Sequence, residues 1–248
     1  MSKGTTRKSL TLNAYERLRT DVLSCVLRPG QRLNINELCQ TTGFNLSAVR
    51  EAVSKLTADG LVVADAKRGF SVAPISVSEL HDLTRVRAEI ENLCLRRAMM
   101  LGDLAWEAGV MAAYHIMSNT KRVVGEGASL ANEGWWAAHG AYHRALVSAC
   151  DSPWLMRLRD QLFAQSERYR ILGTQIRLSN TRDVEREHQE ITEAVLARDA
   201  DRATGLMATH FELTTHILLQ ADETGARLSN GESRMLVNDA LGRADIET

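Results

Sequence analysis

Nowhere do the 248 residues approach the ~20 consecutive apolar positions that span a bilayer. The opening residues, MSKGTTRKSLTLN, also lack the apolar core of a secretory signal, so a cytoplasmic protein is expected. Cysteine is scarce. Cys25, Cys39, Cys94 and Cys150 are scattered with no Cys-x-x-Cys pair, which excludes a zinc knuckle or a redox dithiol and leaves buried, reduced thiols. Proline is scarcer still, and Pro29, Pro74 and Pro153 each stand at a break between patterned segments. Net charge is nearly absent at −1, but its distribution is uneven. Residues 1–76 carry 11 Lys and Arg against 6 Asp and Glu, and the remainder carries 19 against 25, so only the first part is suited to a polyanion.

What is present begins with NLSAVREAVSKLTADG, Asn45 to Gly60. Leu46, Val49, Val53 and Leu56 recur at helical spacing, with Ser47, Arg50, Glu51, Ser54 and Lys55 between them. Asn45 is a candidate cap, and Gly60 a left-handed terminator. Upstream, Asn34-Ile35-Asn36-Glu37 opens a shorter helix that stops near Gly43, so the pair predicts a helix-turn-helix. An amphipathic helix precedes it, marked by Leu12, Tyr15, Leu18, Val22, Leu23 and Val26. Two β-prone runs, 61–64 and 70–73, flank Asp65 to Gly69 and predict a two-stranded wing with a basic tip.

Beyond Pro74 no strand is evident. Ser76-Val77-Ser78-Glu79 is a capping box, and helical patterns follow over about 78–101, 104–121, 129–149, 153–172, 181–198 and 201–220. The expected fold is mainly α: an N-terminal winged helix-turn-helix and a C-terminal antiparallel six-helix bundle. Its expected divisions are a mobile basic arm over 1–9, a DNA-binding unit over 10–75, a helical unit over 76–221 and a loosely ordered tail over 222–248.

Several motifs resemble those of GntR-type bacterial transcription regulators. In the first unit these are Arg28-Pro29-Gly30-Gln31-Arg32-Leu33, Val49-Arg50-Glu51-Ala52, Leu56 to Leu61 and Arg68-Gly69-Phe70. The helical unit is similar to the effector domain called FCD of the fatty-acid-regulator subfamily. That likeness rests on Arg87-Ala88-Glu89-Ile90-Glu91, Tyr142-His143, Asp151-Ser152-Pro153-Trp154-Leu155, Glu187-His188 and Asp199 through His210. Leu46 and Asn36 stand where that family often carries arginine, which implies an unusual operator. A single module of this size reads few bases, so a homodimer on a palindromic operator in double-stranded DNA is expected. The resemblance implies a repressor released by a small carboxylate. Its His-x-Ala-aromatic-His variant points to a C4 to C6 dicarboxylate such as glutarate.

His139 and His143 lie one turn apart on one helix face, while His188 and His210 lie on two later helices that antiparallel packing can bring opposite each other. Four imidazoles suit a divalent transition metal, with zinc or nickel expected; separate core or surface histidines are the alternative, and the one expected for His81, His115 and His216. Relatives often carry aspartate at the position of His139, so four neutral ligands would leave more positive charge to attract an anion. Arg87, Arg168 and Arg170 are candidate effector contacts, against the bland alternative of structural pairs such as Arg87 with Glu91. Arg50 is the candidate reader of a guanine edge; Asn45 and Ser47 near the helix start, with Lys67 and Arg68 on the wing, are the other DNA contacts. A metal-responsive regulator is the alternative function. A metal enzyme is a weaker one, because a second Glu-x-x-His and an evident general base are both missing.

Overall fold

The computed structural model describes residues 3–67, 69–124, 130–174 and 182–223. Arg68 and residues 224–248, nearly all of the expected tail, lie outside the described residues.

Helix α1 spans Lys3–Leu23 and packs Ala14, Leu18 and Val22 against the later recognition helix. Residues 3–9, expected as an arm, are wound into it. Once Ala14 and Leu18 anchor a helix, backward extension avoids a new nucleation cost. The helix ends earlier than its apolar pattern implied: Cys25 has φ 57°, and Val26 is exposed.

Helices α2 (Ile35–Thr42) and α3 (Leu46–Ala58) form the helix-turn-helix. Asn34 Oδ1 accepts from the backbone N–H of Asn36 and Glu37, Gly43 follows at φ 75°, and Asn45 Oδ1 accepts from Ala48 N–H. Ala48, Val49, Ala52, Val53 and Leu56 form the dry face of α3. Leu46 does not join them; it is 43% exposed at the start of the helix. Strands β1 (Arg32–Leu33), β2 (Val62–Asp65) and β3 (Gly69–Val72) make an antiparallel sheet in the order β1-β3-β2. The third strand was not expected, because two residues between a turn and a cap carry no readable alternation.

Six helices make up the second unit among the described residues: α4 (Val77–Leu101), α5 (Leu104–Ser118), α6 (Glu133–Leu146), α7 (Pro153–Thr174), α8 (Val184–Leu196) and α9 (Ala200–Glu223). Between α5 and α6, β4 (Val123–Val124) pairs with β5 (Leu130–Ala131), a small ladder in a region expected to be free of strands. The N-terminus of α6 is thereby moved to Glu133, where Asn132 caps Gly134 N–H and donates to Lys121 O. α4 packs against α7 and α9, α5 against α6 and α8, and α8 against α9. Cys94, Leu95, Val110, Tyr142, Ile191 and Met207 lie in the core they enclose.

The two units meet along α7. Gln165 Nε2 donates to Asp59 O at 3.1 Å, and Arg168 donates to Ala73 O and, at 3.4 Å, to Pro74 O. Tyr169 donates to Glu79 Oε2 at 2.7 Å and accepts from Ser76 N–H at 3.3 Å. Gly60 is required at this junction: its φ is +71°, and a Cβ there would lie 3.2 Å from Gln165 Nε2.

Candidate functional site

α6, α8 and α9 bring His139, His143, His188 and His210 together, all buried, with one ligand nitrogen from each within 4.8 Å of the others. His139 and His143 face each other because a four-residue step returns nearly to the same side of α6. Their Nε2 atoms are 3.1 Å apart. The short turn between α8 and α9, where Arg198 takes φ 59°, folds His210 back over His188, with ring centroids 4.7 Å apart. His81, His115 and His216 are exposed and stand outside this cluster.

The cluster is built to stay neutral. Burial holds His139, His143 and His188 well below 6.5; neighbouring Arg170 adds to the effect at His139, and His210 does so at the other two. Burial likewise lowers His210 to about 4, although its hydrogen bond to Glu187 opposes the shift. Glu187 would be raised by burial, but hydrogen bonds from His210 and Arg182 bring it to about 2. His210 Nδ1 donates to Glu187 Oε2 at 2.8 Å, which leaves Nε2 with a lone pair toward the other rings. His143 Nδ1 and His188 Nε2 have no hydrogen-bond partner among the described residues. Unsatisfied buried nitrogens are costly, and this neutral all-imidazole set fits a divalent transition ion.

The three candidate arginines do not share one location. Arg170 sits over Trp136 at 4.6 Å, pairs with Glu167 and donates from Nη2 to His139 Nδ1 at 3.2 Å. Arg87 is also buried, with its guanidinium 3.9 Å from the Phe211 ring centroid and Nη1 donating to Ser166 Oγ at 2.7 Å. Arg168 points away, to the carbonyls of Ala73 and Pro74. Two positions along a helix turn the side chain by about 200°, so Arg168 and Arg170 occupy opposite faces of α7, and the expectation of an effector contact at Arg168 is corrected to a contact with the interdomain linker.

Arg159 was missed. It is 2% exposed and binds Glu91, itself fully buried, through Nε to both carboxylate oxygens at 3.1 Å. Glu91 therefore pairs with Arg159 rather than with Arg87. Counting back 11 residues from Arg170, three helical turns, reaches Arg159 on the same face, so the signal was readable once one inward position was known. Arg182, on the approach to α8, was also missed; it donates to Glu187 and, at 2.9 Å, to His210 O.

In the first unit, Asn45, Ser47 and Arg50 are exposed along the first turns of α3 together with Leu46. Asn45 spends its side-chain oxygen on capping, which leaves its amide N–H groups as donors. Arg50 makes no side-chain hydrogen bond or ion pair among the described residues. Lys67 is exposed at the tip of the β2–β3 turn, where its backbone N–H donates to Asp65 Oδ1 at 2.7 Å.

Residues 10–72 match the family of bacterial regulatory proteins called gntR, and residues 82–213 match the FCD domain. The chain belongs to the GntR family. It is 37% identical over 214 residues to the HTH-type transcriptional regulator BphR of Paraburkholderia xenovorans, covering 86% of each chain. Against the HTH-type transcriptional repressor GlaR of Escherichia coli it is 32% identical, covering 85% of this chain and 96% of that one. Its fold matches that of Escherichia coli McbR/YncC with a TM-score of 0.70 at 19% identity, covering 85% of this chain and 97% of the other. A regulator from Rhodococcus gives 0.66 at 22% identity, covering 86% and 99%.

This GntR-family protein is a DNA-binding transcriptional regulator, and its matched domains and relatives are regulators rather than enzymes. The Glu185 carboxylate, which completes the lone Glu-x-x-His motif, is exposed on α8 rather than turned to the imidazoles. Among the described residues no helix is long and apolar enough to cross a membrane.

Proposed function

We propose that this regulator is a homodimeric repressor of a palindromic operator, released by a small dicarboxylate such as glutarate that binds beside a metal held by His139, His143, His188 and His210. The observation that carries the reading is the convergence of four neutral imidazoles, two of them with an unpartnered nitrogen, next to the Arg170 guanidinium. Zinc or nickel bound there would supply a divalent positive charge for a carboxylate oxygen.

His139 connects the two halves of this reading. A neutral imidazole has one lone pair, and in the present arrangement Nδ1 uses it to accept from Arg170. If His139 offers Nε2 to a metal, Nδ1 carries the proton and cannot accept; if it offers Nδ1, the lone pair is already spent. Either way Arg170 Nη2 gives up His139 and is available to a carboxylate, while Nη1 stays on Glu167.

Arg170 lies on the helix whose opposite face holds the DNA-binding unit through Gln165 and Arg168. A shift of α7 on effector binding therefore reaches both the Ala73-Pro74 linker and Asp59 at the end of α3. On α3, Arg50 reads a base edge, with Ser47 and the Asn45 amide beside it, and Lys67 and Arg68 of the wing meet the phosphate backbone or the minor groove. One such head covers few base pairs, which supports two-fold pairing over a palindrome.

The test is anisotropy of labelled DNA from this gene's own upstream region, titrated with metal-loaded protein with and without millimolar glutarate. Specific binding released by glutarate is expected. Specific binding that glutarate and other dicarboxylates leave unchanged would remove the effector, and binding that follows metal concentration alone would make the ion the signal.

A further inference from the structure

We propose that Leu46 reads the 5-methyl group of a thymine in the major groove, beside the base that Arg50 contacts. The proposal rests on reading α3 as the helix that enters the groove, and it assigns the operator a thymine near that contact.

A single exposed leucine is ordinary on a protein surface, and its position is what distinguishes Leu46. It is 43% exposed at the first residue of α3, immediately after the capping Asn45. The fold does not use it. The buried face of the helix is Ala48, Val49, Ala52, Val53 and Leu56, and the apolar residue that joins their cluster from before the cap is Phe44. Side chains on a helix lean toward its N-terminus, so a side chain at the first position reaches past the end of the helix. That end is the part of a recognition helix that meets base edges.

The neighbours of Leu46 suit such a contact. Ser47, Arg50 and Ser54 are exposed along α3, while the Glu51 carboxylate accepts from Thr11 Oγ1 at 3.1 Å, which ties the acid of this segment to α1. Leucine can neither donate nor accept a hydrogen bond. Against the ring nitrogen and carbonyl of guanine, or the amine of cytosine or adenine, it would leave a polar atom desolvated without a partner. Thymine presents a methyl group on its major-groove edge, and contact between two apolar groups removes both from water.

Helix geometry supplies the register. Arg50 lies four residues after Leu46, a rotation of about 40° and a rise of about 6 Å, so the two side chains leave the helix on one side. Base pairs are stacked about 3.4 Å apart. The thymine therefore falls within about two base pairs of the base that Arg50 contacts.

Operator duplexes selected from random DNA by the full-length wild-type protein supply the probe. Each thymine is replaced in turn by deoxyuridine, which lacks only the methyl group, and affinity is read by anisotropy. In wild type one thymine of each half-site is expected to matter, with a loss of about 4-fold for one replacement and about 15-fold when both half-sites are changed. Leu46→Ser should bind the thymine and deoxyuridine duplexes alike, with a Tm close to that of wild type because Leu46 lies outside the buried cluster. Leu46→Met keeps an apolar tip and should retain the preference; its loss there would count against the contact. Indifference of the wild type to every thymine methyl would overturn the proposal, and so would a preference that persists undiminished in Leu46→Ser. Selection that recovers no preferred sequence would overturn the reading of α3 itself along with the contact.

Discussion

Gln165 Nε2, on α7, donates at 3.1 Å to the backbone carbonyl of Asp59, the residue that ends the recognition helix. Arg168, one turn further along, holds the linker carbonyls of Ala73 and Pro74. If α7 transmits the signal, Gln165→Ala combined with Arg168→Met should leave glutarate affinity unchanged by calorimetry while reducing the effect of glutarate on DNA affinity by about 5-fold or more. Full release of DNA by glutarate in that variant would eliminate α7 as the route.

The imidazole cluster predicts opposite effects for two neighbours. His188→Ala should purify with little bound metal, as measured by elemental analysis, because it removes one of four donors. Arg170→Met should bind metal at least as tightly as wild type, since it removes a nearby positive charge and a competitor for His139 Nδ1. The same variant should lose affinity for glutarate. Unchanged metal stoichiometry in His188→Ala would count against the site.

Stability should follow pH in a defined window. All four histidines are lowered below 6.5 in the folded state, so the unfolded chain takes up protons first as pH falls. Their contribution is fully present above about pH 6.5 and is lost progressively below it, at up to ~1.4 kcal/mol per pH unit for each group. For His210 the loss runs down to about pH 4. Below the ordinary carboxyl value of 4.5, Glu187 adds a further loss down to about 2. Metal-free protein should therefore show a falling Tm between pH 7 and pH 5, and metal-loaded protein a smaller fall, by differential scanning calorimetry. A flat profile for the metal-free form would contradict the neutral, buried cluster.

The recognition helix offers two substitutions with different signatures. Arg50→Ala should lose about 1 to 3 kcal/mol at a single base pair, whereas equal losses on every sequence would assign Arg50 to phosphate. Leu46→Arg should change operator preference in a selection from random DNA, with stability altered by no more than about 0.5 kcal/mol because Leu46 is exposed. A large drop in Tm would mean that Leu46 belongs to the core after all.

Much of this was present in the residues themselves. Local signals act over a few positions, and they were sufficient for the caps at Asn34, Asn45 and Ser76, the proline opening of α7 and the six-helix order of the second unit. The pairing of His139 with His143 follows from one helical turn, and the family motifs carried His188 and His210 to the same site. Other features depended on contacts between distant segments. The two-residue strands β1, β4 and β5 exist through their partners, since no periodicity is measurable in so short a run. Leu46 follows the helical period yet falls outside the buried face, which is set by where α1 packs on α3.

The arginines divide in the same way. Sequence identified Arg87 and Arg170 as inward candidates, but the partners that give each its chemistry come from other helices: Ser166 and Phe211 for Arg87, His139 and Trp136 for Arg170. Arg159 and its pair Glu91 are 68 residues apart. Arg168 lay close enough to Arg170 in sequence to suggest a shared role, and the pitch of the helix turned it instead toward the linker. Residue type and local period determined which groups this protein possesses, while only tertiary packing decided which of them meet, because a side chain's direction and desolvation are set by the helices that close around it.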